Sequence, residues 1–394
     1  MKITKSRRLF GTLEMLLAAV IIVLAVMFAP AKKEITPPPT TAPETTAPAV
    51  ETTTEAVTQP TETQEATTDF AQVGDYTVTN YIVVTADSAM EMYSIASEKL
   101  TNYANVINTF AAKVPDKQIY CMLAPTSIAF YGPEEYRTGS HSQPDGINIA
   151  YSALSGANIK SIDAYGEIIK HTNDYIYFRT DHHWTARGAY YAYTALCNQT
   201  GQEAVPLENH QSGRLDDFVG TMYRYTQSES LLQHPDYVEY FYPVNEYEGY
   251  WFTTPALSDP HNLRVISTGI TERSSKYMCF IQGDKPLERI TTSNQNGKKI
   301  LVIKESYGNA IVPFLLDNYQ EVYVLDPRQD GVTDMNLPQF VTDNGINEIL
   351  FINYVLVPSN SKYMNALTNI VNKDVAVPEA AETPAEAPAE APQG

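Results

Sequence analysis

Cysteine is scarce in this chain, with Cys121, Cys197 and Cys279 the only three in 394 residues. Thiols so few and so scattered make neither a disulfide framework nor a zinc site, and an odd number leaves at least one unpaired. They read as buried thiols. Positive charge is also in short supply: 27 Lys and Arg against 46 Asp and Glu leave a net charge of −19. That balance excludes binding nucleic acid or an anionic membrane surface through bulk electrostatics. Large apolar residues are nearly missing from residues 32–69 and from 375–394, which are built mainly of Thr, Pro, Glu and Ala. Such composition does not repay the entropy of folding, and it predicts a disordered stalk and a disordered acidic Pro/Ala tail.

Residues 9–29, in contrast, carry no charge except Glu14 and follow Lys2, Lys5, Arg7 and Arg8. This is a membrane-targeting segment with its basic end in the cytoplasm. Residues 1–31 serve either as an uncleaved membrane anchor or as a signal peptide cut near Ala31. In both cases everything after Lys33 is expected outside the cytoplasm.

The folded part is expected over residues 70–374, where strand-like runs alternate with helical patterns. Residues 88–114 place Met92, Ile95, Leu100, Tyr103, Val106, Ile107 and Phe110 near helical spacing, and the buried run QIYCMLA follows. YIYFRT, residues 175–180, reads as a strand. The helix after it has Thr185 as N-cap and Gly201 just past its end. Later come KKILVIKES, NAIVPFLLDNY, EVYVLDPR, LPQFVTDNGI and EILFINYVLVP. These read as strand, helix, strand, helix, strand, an α/β pattern of a parallel sheet with crossover helices. Residues 201–292 interrupt it as a Tyr-rich, turn-rich insertion or β-containing lobe.

Ligands of open parallel sheets bind beyond the carboxyl ends of the strands. One such end places Ser306 in a strand-to-helix turn with Gly308 and Asn309, where backbone N–H groups can face an oxyanion. The bland alternative is that Ser306 only caps the helix. Asn353, after EILFI, is a further amide donor. A serine nucleophile needs a base near neutral pKa and an acid to hold the base's tautomer. Asp181 and His183, one residue apart after YIYFRT, supply both types. Metal binding is the rival use of these residues. It is disfavoured because neighbours His182 and His183 would point to opposite sides of an extended chain, and no metal is expected. The 27 tyrosines suit a carbohydrate groove or half-buried β-structure equally.

YIYFRTDHHWTARGAYYAY, KKILVIKESYGNAIVPFL and EVYVLDPR resemble the DHHW protein family of bacterial surface proteins, named for Asp181-His182-His183-Trp184. The resemblance spans about residues 85–370. That family is similar to the alginate O-acetyltransferase group, with an SGNH-hydrolase-like fold in circularly permuted order, the Asp-x-His element preceding the serine. It implies Ser306 as nucleophile, His183 as general base and Asp181 as the residue orienting it. Glu305 stands where relatives usually have Asp. Arg328 and Asn353 fall at the places of the glycine and asparagine blocks of ordinary SGNH hydrolases, as oxyanion or substrate candidates. His182 is assigned to packing or substrate contact, and Trp184 is either a sugar platform or a buried prop.

The expected protein is a tethered SGNH-like enzyme that moves an acyl group, most simply acetyl, on a cell-surface or secreted polysaccharide, without a cofactor. The resemblance favours transfer and implies a membrane-bound O-acyltransferase partner that supplies acetyl groups. Polysaccharide acetylesterase activity and a non-catalytic glycan-binding or scaffold role remain open alternatives.

Overall fold

The computed structural model describes residues 74–376. The expected anchor or signal peptide, the stalk and all but the first two residues of the tail lie outside them. No helix among the described residues is long and apolar enough to cross a membrane.

Thirteen strands occur among these residues. β1 (Thr77–Thr79), β2 (Ile82–Val84) and β3 (Ala89–Glu91) form an antiparallel ribbon. β4 (Gln118–Ala124) and β5 (Ile159–Ser161) follow, and β6 (Ser212–Phe218) pairs with β7 (Asp236–Phe241) as a two-stranded unit. The remaining strands are β8 (Tyr247–Phe252), β9 (His261–Asn262), β10 (Leu287–Thr292), β11 (Lys299–Lys304), β12 (Glu321–Leu325) and β13 (Glu348–Tyr354). The central sheet has the order β5-β4-β13-β11-β12-β10-β8-β9. The first five strands are mutually parallel; the last three add on antiparallel.

β4, β11 and β13 are apolar almost throughout because both faces of the sheet are covered. Met122, Val302 and Ile352 face a layer that contains the helix Ala186–Thr200. Cys121, Leu301 and Phe351 face the helices Ser97–Lys113, Leu337–Asp343 and Ser361–Val371. All three cysteines are free and buried.

Two expectations need correction. Residues 175–180 are not a strand: only an isolated bridge joins Tyr177 to Trp184, because the segment folds back on itself instead of entering the sheet. The helical pattern traced from residue 88 begins only at Ser97, since Ala89–Glu91 pairs with β2. The segment 201–292, expected as a Tyr-rich insertion or β-containing lobe, contains β6 to β10. It lends β8, β9 and β10 to the central sheet as its antiparallel edge.

Candidate active site

The chain reverses over residues 176–185. Thr185 N donates to Ile176 O at 3.0 Å and Phe178 N to His183 O at 3.3 Å. A buried carboxylate holds the turn from outside. Asp236, at the start of β7, accepts from Arg179 N at 3.0 Å, Thr180 N at 2.7 Å and Thr180 Oγ1 at 2.6 Å, and from the Tyr175 hydroxyl. Thr185 then caps the following helix, accepting from Gly188 N. Gly201 ends that helix at φ +71°, a left-handed position suited to glycine.

Asp181 and His183 sit in this turn, both buried. Asp181 Oδ1 accepts from His183 N at 3.0 Å and lies 2.6 Å from His183 Nδ1. Its Oδ2 accepts from Thr221 N at 2.8 Å and Thr221 Oγ1 at 3.0 Å. An ionised carboxylate only accepts, so Nδ1 carries the ring proton and Nε2 is left to accept. Nε2 lies 2.9 Å from Ser306 Oγ. Burial alone would push the Asp181 carboxyl up; the attraction of His183 and His182 and the bonds from His183 and Thr221 outweigh it. The group is held well below the usual carboxylate range. Gly220 is packed so closely that a Cβ there would stand 2.2 Å from Asp181 Oδ2.

Ser306 is partly exposed at the carboxyl end of β11. It does not cap the turn that follows. Glu305 does, its Oε2 accepting from Tyr307 N at 2.8 Å while its Oε1 accepts from Tyr354 N at 3.0 Å. The longer acid therefore spans the turn and the next strand, and burial pushes its carboxyl up. The Ser306 hydroxyl is 3.5 Å from Glu305 Oε2, farther than from His183. Tyr277 lies against His183 and donates through its hydroxyl to Ser306 O.

The other sequence candidates are turned elsewhere. Gly308 N donates to Glu305 O at 2.9 Å, so neither it nor Tyr307 N is a free oxyanion donor. Gly308 is needed for space, since a Cβ would stand 2.5 Å from Lys304 Cβ. Asn309 donates to Asp284 at 3.0 Å. Arg328 is held by Asp326, at 2.6 Å, and by Asp284, at 2.8 Å. Lys304 reaches Asp284 at 2.9 Å, and Glu288 lies buried near this group with both carboxylate oxygens unpaired. Asn353 is fully buried, its amide bonded to the hydroxyls of Tyr103 and Tyr363. These belong to the opposite core layer, so Asn353 is a core hydrogen-bonding group. Trp184 is fully buried and donates to Tyr307 O at 2.9 Å; it is a prop and no sugar platform.

His182 stays at the site, half-buried and 2.6 Å from Thr221 Oγ1 through Nδ1. Burial, then the neighbouring His183, pushes its pKa down. Contrary to expectation, the turn brings the rings of His182 and His183 to one side, 3.8 Å apart. Ligand atoms of Asp181, His182 and His183 consequently lie within 4.8 Å of one another. Both nitrogens of His183 are already engaged by Asp181 and Ser306, so a metal there would have to displace these bonds. Thr221, Asp236, Gly220 and Tyr277 were not foreseen. Each approaches the turn from 39 or more positions away or through a stacking contact, and no local spacing announces them.

The family described as DHHW protein matches residues 52–325. A DHHW family protein from Eubacterium siraeum DSM 15702 is similar in structure, with 32% sequence identity, 77% of this chain and 99% of that chain covered, and a TM-score of 0.66. PatB1 of Bacillus cereus shares the fold at 18% identity, with 73% of this chain and 98% of that chain covered and a TM-score of 0.56. PatB1 with a sulfonyl adduct gives 19% identity, coverages of 72% and 96%, and a TM-score of 0.57. Comparison with the curated proteins finds no match.

Proposed function

The chain belongs to the DHHW family, and from that premise we propose that it is an extracytoplasmic acyl-transfer enzyme with a circularly permuted SGNH-like fold. Its reaction in this reading is O-acetyl transfer to a cell-surface or secreted polysaccharide. The observation that carries the proposal is the line Asp181–His183–Ser306, with separations of 2.6 Å and 2.9 Å.

In the proposed reaction Ser306 Oγ attacks the acyl carbonyl as His183 Nε2 takes its proton. His183 passes that proton to the departing group, and the acyl group stays on Ser306. A sugar hydroxyl then gives its proton to His183, attacks the ester and leaves acetylated, with the proton returned to Ser306. Asp181 remains ionised throughout, keeping the imidazole oriented and stabilising its cationic form. Water in place of the sugar gives acetylesterase activity with the same groups. The basic and apolar start of the chain supports a site outside the cytoplasm, held by the N-terminal segment. A membrane-bound O-acyltransferase is the proposed source of acetyl groups there.

The test is to incubate the full chain with an activated acetyl ester and candidate glycans, following acetate release and glycan acetylation separately. Glycan acetylation that Ser306→Ala abolishes is the expected result. Acetate release without acetylation turns the reading to an esterase. Undiminished turnover by folded Ser306→Ala overturns the covalent mechanism and leaves a glycan-binding role.

A further inference from the structure

Beside the turn that carries Asp181 and His183 lies a cavity of about 440 Å³, lined among others by Asn80, Tyr81, Glu91, Met92, Tyr225 and Leu356. This volume is in the range of small-molecule sites. One wall is the tip of the β1–β2 hairpin and the other is the helix Thr221–Thr226. The next strand of the ribbon, β3, and the helix are hydrogen-bonded to the turn itself: Ala89 N donates to Arg179 O at 2.9 Å and Met222 N to Thr180 O at 3.0 Å. Ile82, Val84, Ala89, Met222 and Leu231 form a small core that locks the ribbon to this helix. The cavity is therefore built on segments that hydrogen-bond to the turn carrying Asp181.

Its lining is unusual in three respects. Tyr81 is 82% exposed and Tyr225 48%, so two large rings stand in water at one opening. Tyr81 has φ +62° and Asn80 φ +52°, as a two-residue type I′ connection requires, but such positions favour Asn, Asp or Gly. Tyr81 holds this position against backbone preference with its ring exposed. Asn80 Nδ2 ties the hairpin tip to Tyr225 O at 3.1 Å, and Arg224 steadies the Tyr225 ring from 5.1 Å. Glu91, finally, has Oε2 buried without a partner in the protein. A buried acceptor without a donor marks a place where a ligand group can supply one.

We propose that this cavity binds a neutral pyranose residue of the acceptor glycan, stacked on Tyr81 and Tyr225 and hydrogen-bonded through its hydroxyls to Glu91. The word acceptor rests on the acyl-transfer reading; the binding itself does not. Aromatic faces suit the C–H face of a sugar ring, and a lone carboxylate suits hydroxyl donors. None of the lining residues is basic, and the Arg224 guanidinium beside the opening is engaged with the ring and hydroxyl of Tyr225, so a uronate placed against Glu91 is disfavoured relative to a neutral sugar.

Saturation-transfer NMR on the full chain tests this, with cellotetraose, tetra-N-acetylchitotetraose and a tetrameric mannuronate as probes. The neutral probes should bind the parent chain and the Ser306→Ala variant alike, and the mannuronate several-fold more weakly. Tyr81→Ala/Tyr225→Ala should lose about tenfold or more in affinity, each tenfold being about 1.4 kcal/mol, and Glu91→Gln should narrow the gap between neutral and anionic probes. Absence of binding by both neutral probes, undiminished binding by the double variant, or equal binding of the mannuronate overturns the proposal. Ester turnover measured alongside reports on Ser306 separately: turnover retained by Ser306→Ala defeats the acyl-transfer reading while leaving the subsite standing.

Discussion

Tyr277 lies flat against His183, ring centroids 3.9 Å apart and planes within 10°, while its hydroxyl donates to the carbonyl of Ser306 at 3.0 Å. One side chain thus touches both the imidazole and the backbone of the serine. Tyr277→Phe keeps the ring but leaves that carbonyl without its donor, and should cost about 1–3 kcal/mol of stability with little loss of ester turnover. Tyr277→Ala removes the ring and should cost about 3–5 kcal/mol together with a large loss of turnover. Denaturant unfolding and ester assays check both. Equal turnover in the two variants would mean that the stacked ring does not orient His183.

Ser306→Ala and His183→Ala should each lower ester turnover by roughly 10³-fold or more, and the double variant should lose little beyond either, because nucleophile and base act as a unit. Asp181→Asn should lose less, since it disturbs tautomer and orientation without removing a reacting group. Stability of Ser306→Ala should change by less than the ~1 kcal/mol of a lost cap, because Glu305 and not Ser306 caps the turn. Labelling by a serine-directed sulfonyl fluoride should disappear in the same variant.

Gly220→Ala places a methyl against Asp181 Oδ2. Overpacking of this kind costs about 1–3 kcal/mol, and here it should also move the carboxylate and depress turnover. Gly201→Ala is the matching control. It strains a left-handed helix end outside the site, so it should lower the melting temperature and leave turnover as it was.

Glu288 is fully buried, and burial pushes its carboxyl up to about 8 from an ordinary 4.5. The folded protein therefore keeps a proton that the unfolded chain has lost above about pH 4.5. Rising pH favours unfolding until the folded group itself ionises near 8. Thermal melts should show stability falling between about pH 4.5 and 8, and Glu288→Gln should flatten that decline. An unaltered slope in the variant would assign it to other groups.

The parallel half of the sheet was readable because β11, β12 and β13 are short, almost continuous apolar runs separated by helical patterns. The helix after the turn was readable from its cap, Thr185, and its stop, Gly201. β1, β2 and β3 were not, since three residues each are too few for a period to show. YIYF imitates a strand, yet its apolar side chains are buried by a chain reversal and by Phe218 and Tyr277. The same reversal explains the error over His182 and His183, whose rings would diverge only on an extended chain. Ser306 and His183 are 123 positions apart, and their placement after apolar runs read as strands, together with family resemblance, suggested that they meet. Asp236 and Thr221 had neither kind of signal, because what they hold is a backbone turn defined only in three dimensions.

The pairing of β4 with β13 joins Gln118 to Glu348, near the far end of the described chain. Until that late segment is available, β4 has only the three-residue β5 beside it, and its other margin offers unsatisfied N–H and C=O groups to any passing strand. Chains ending upstream of residue 348 are therefore expected to leave this edge of β4 open to non-native pairing. Addition of residues 348–354 is what closes the apolar middle of the sheet, between β4 and β11.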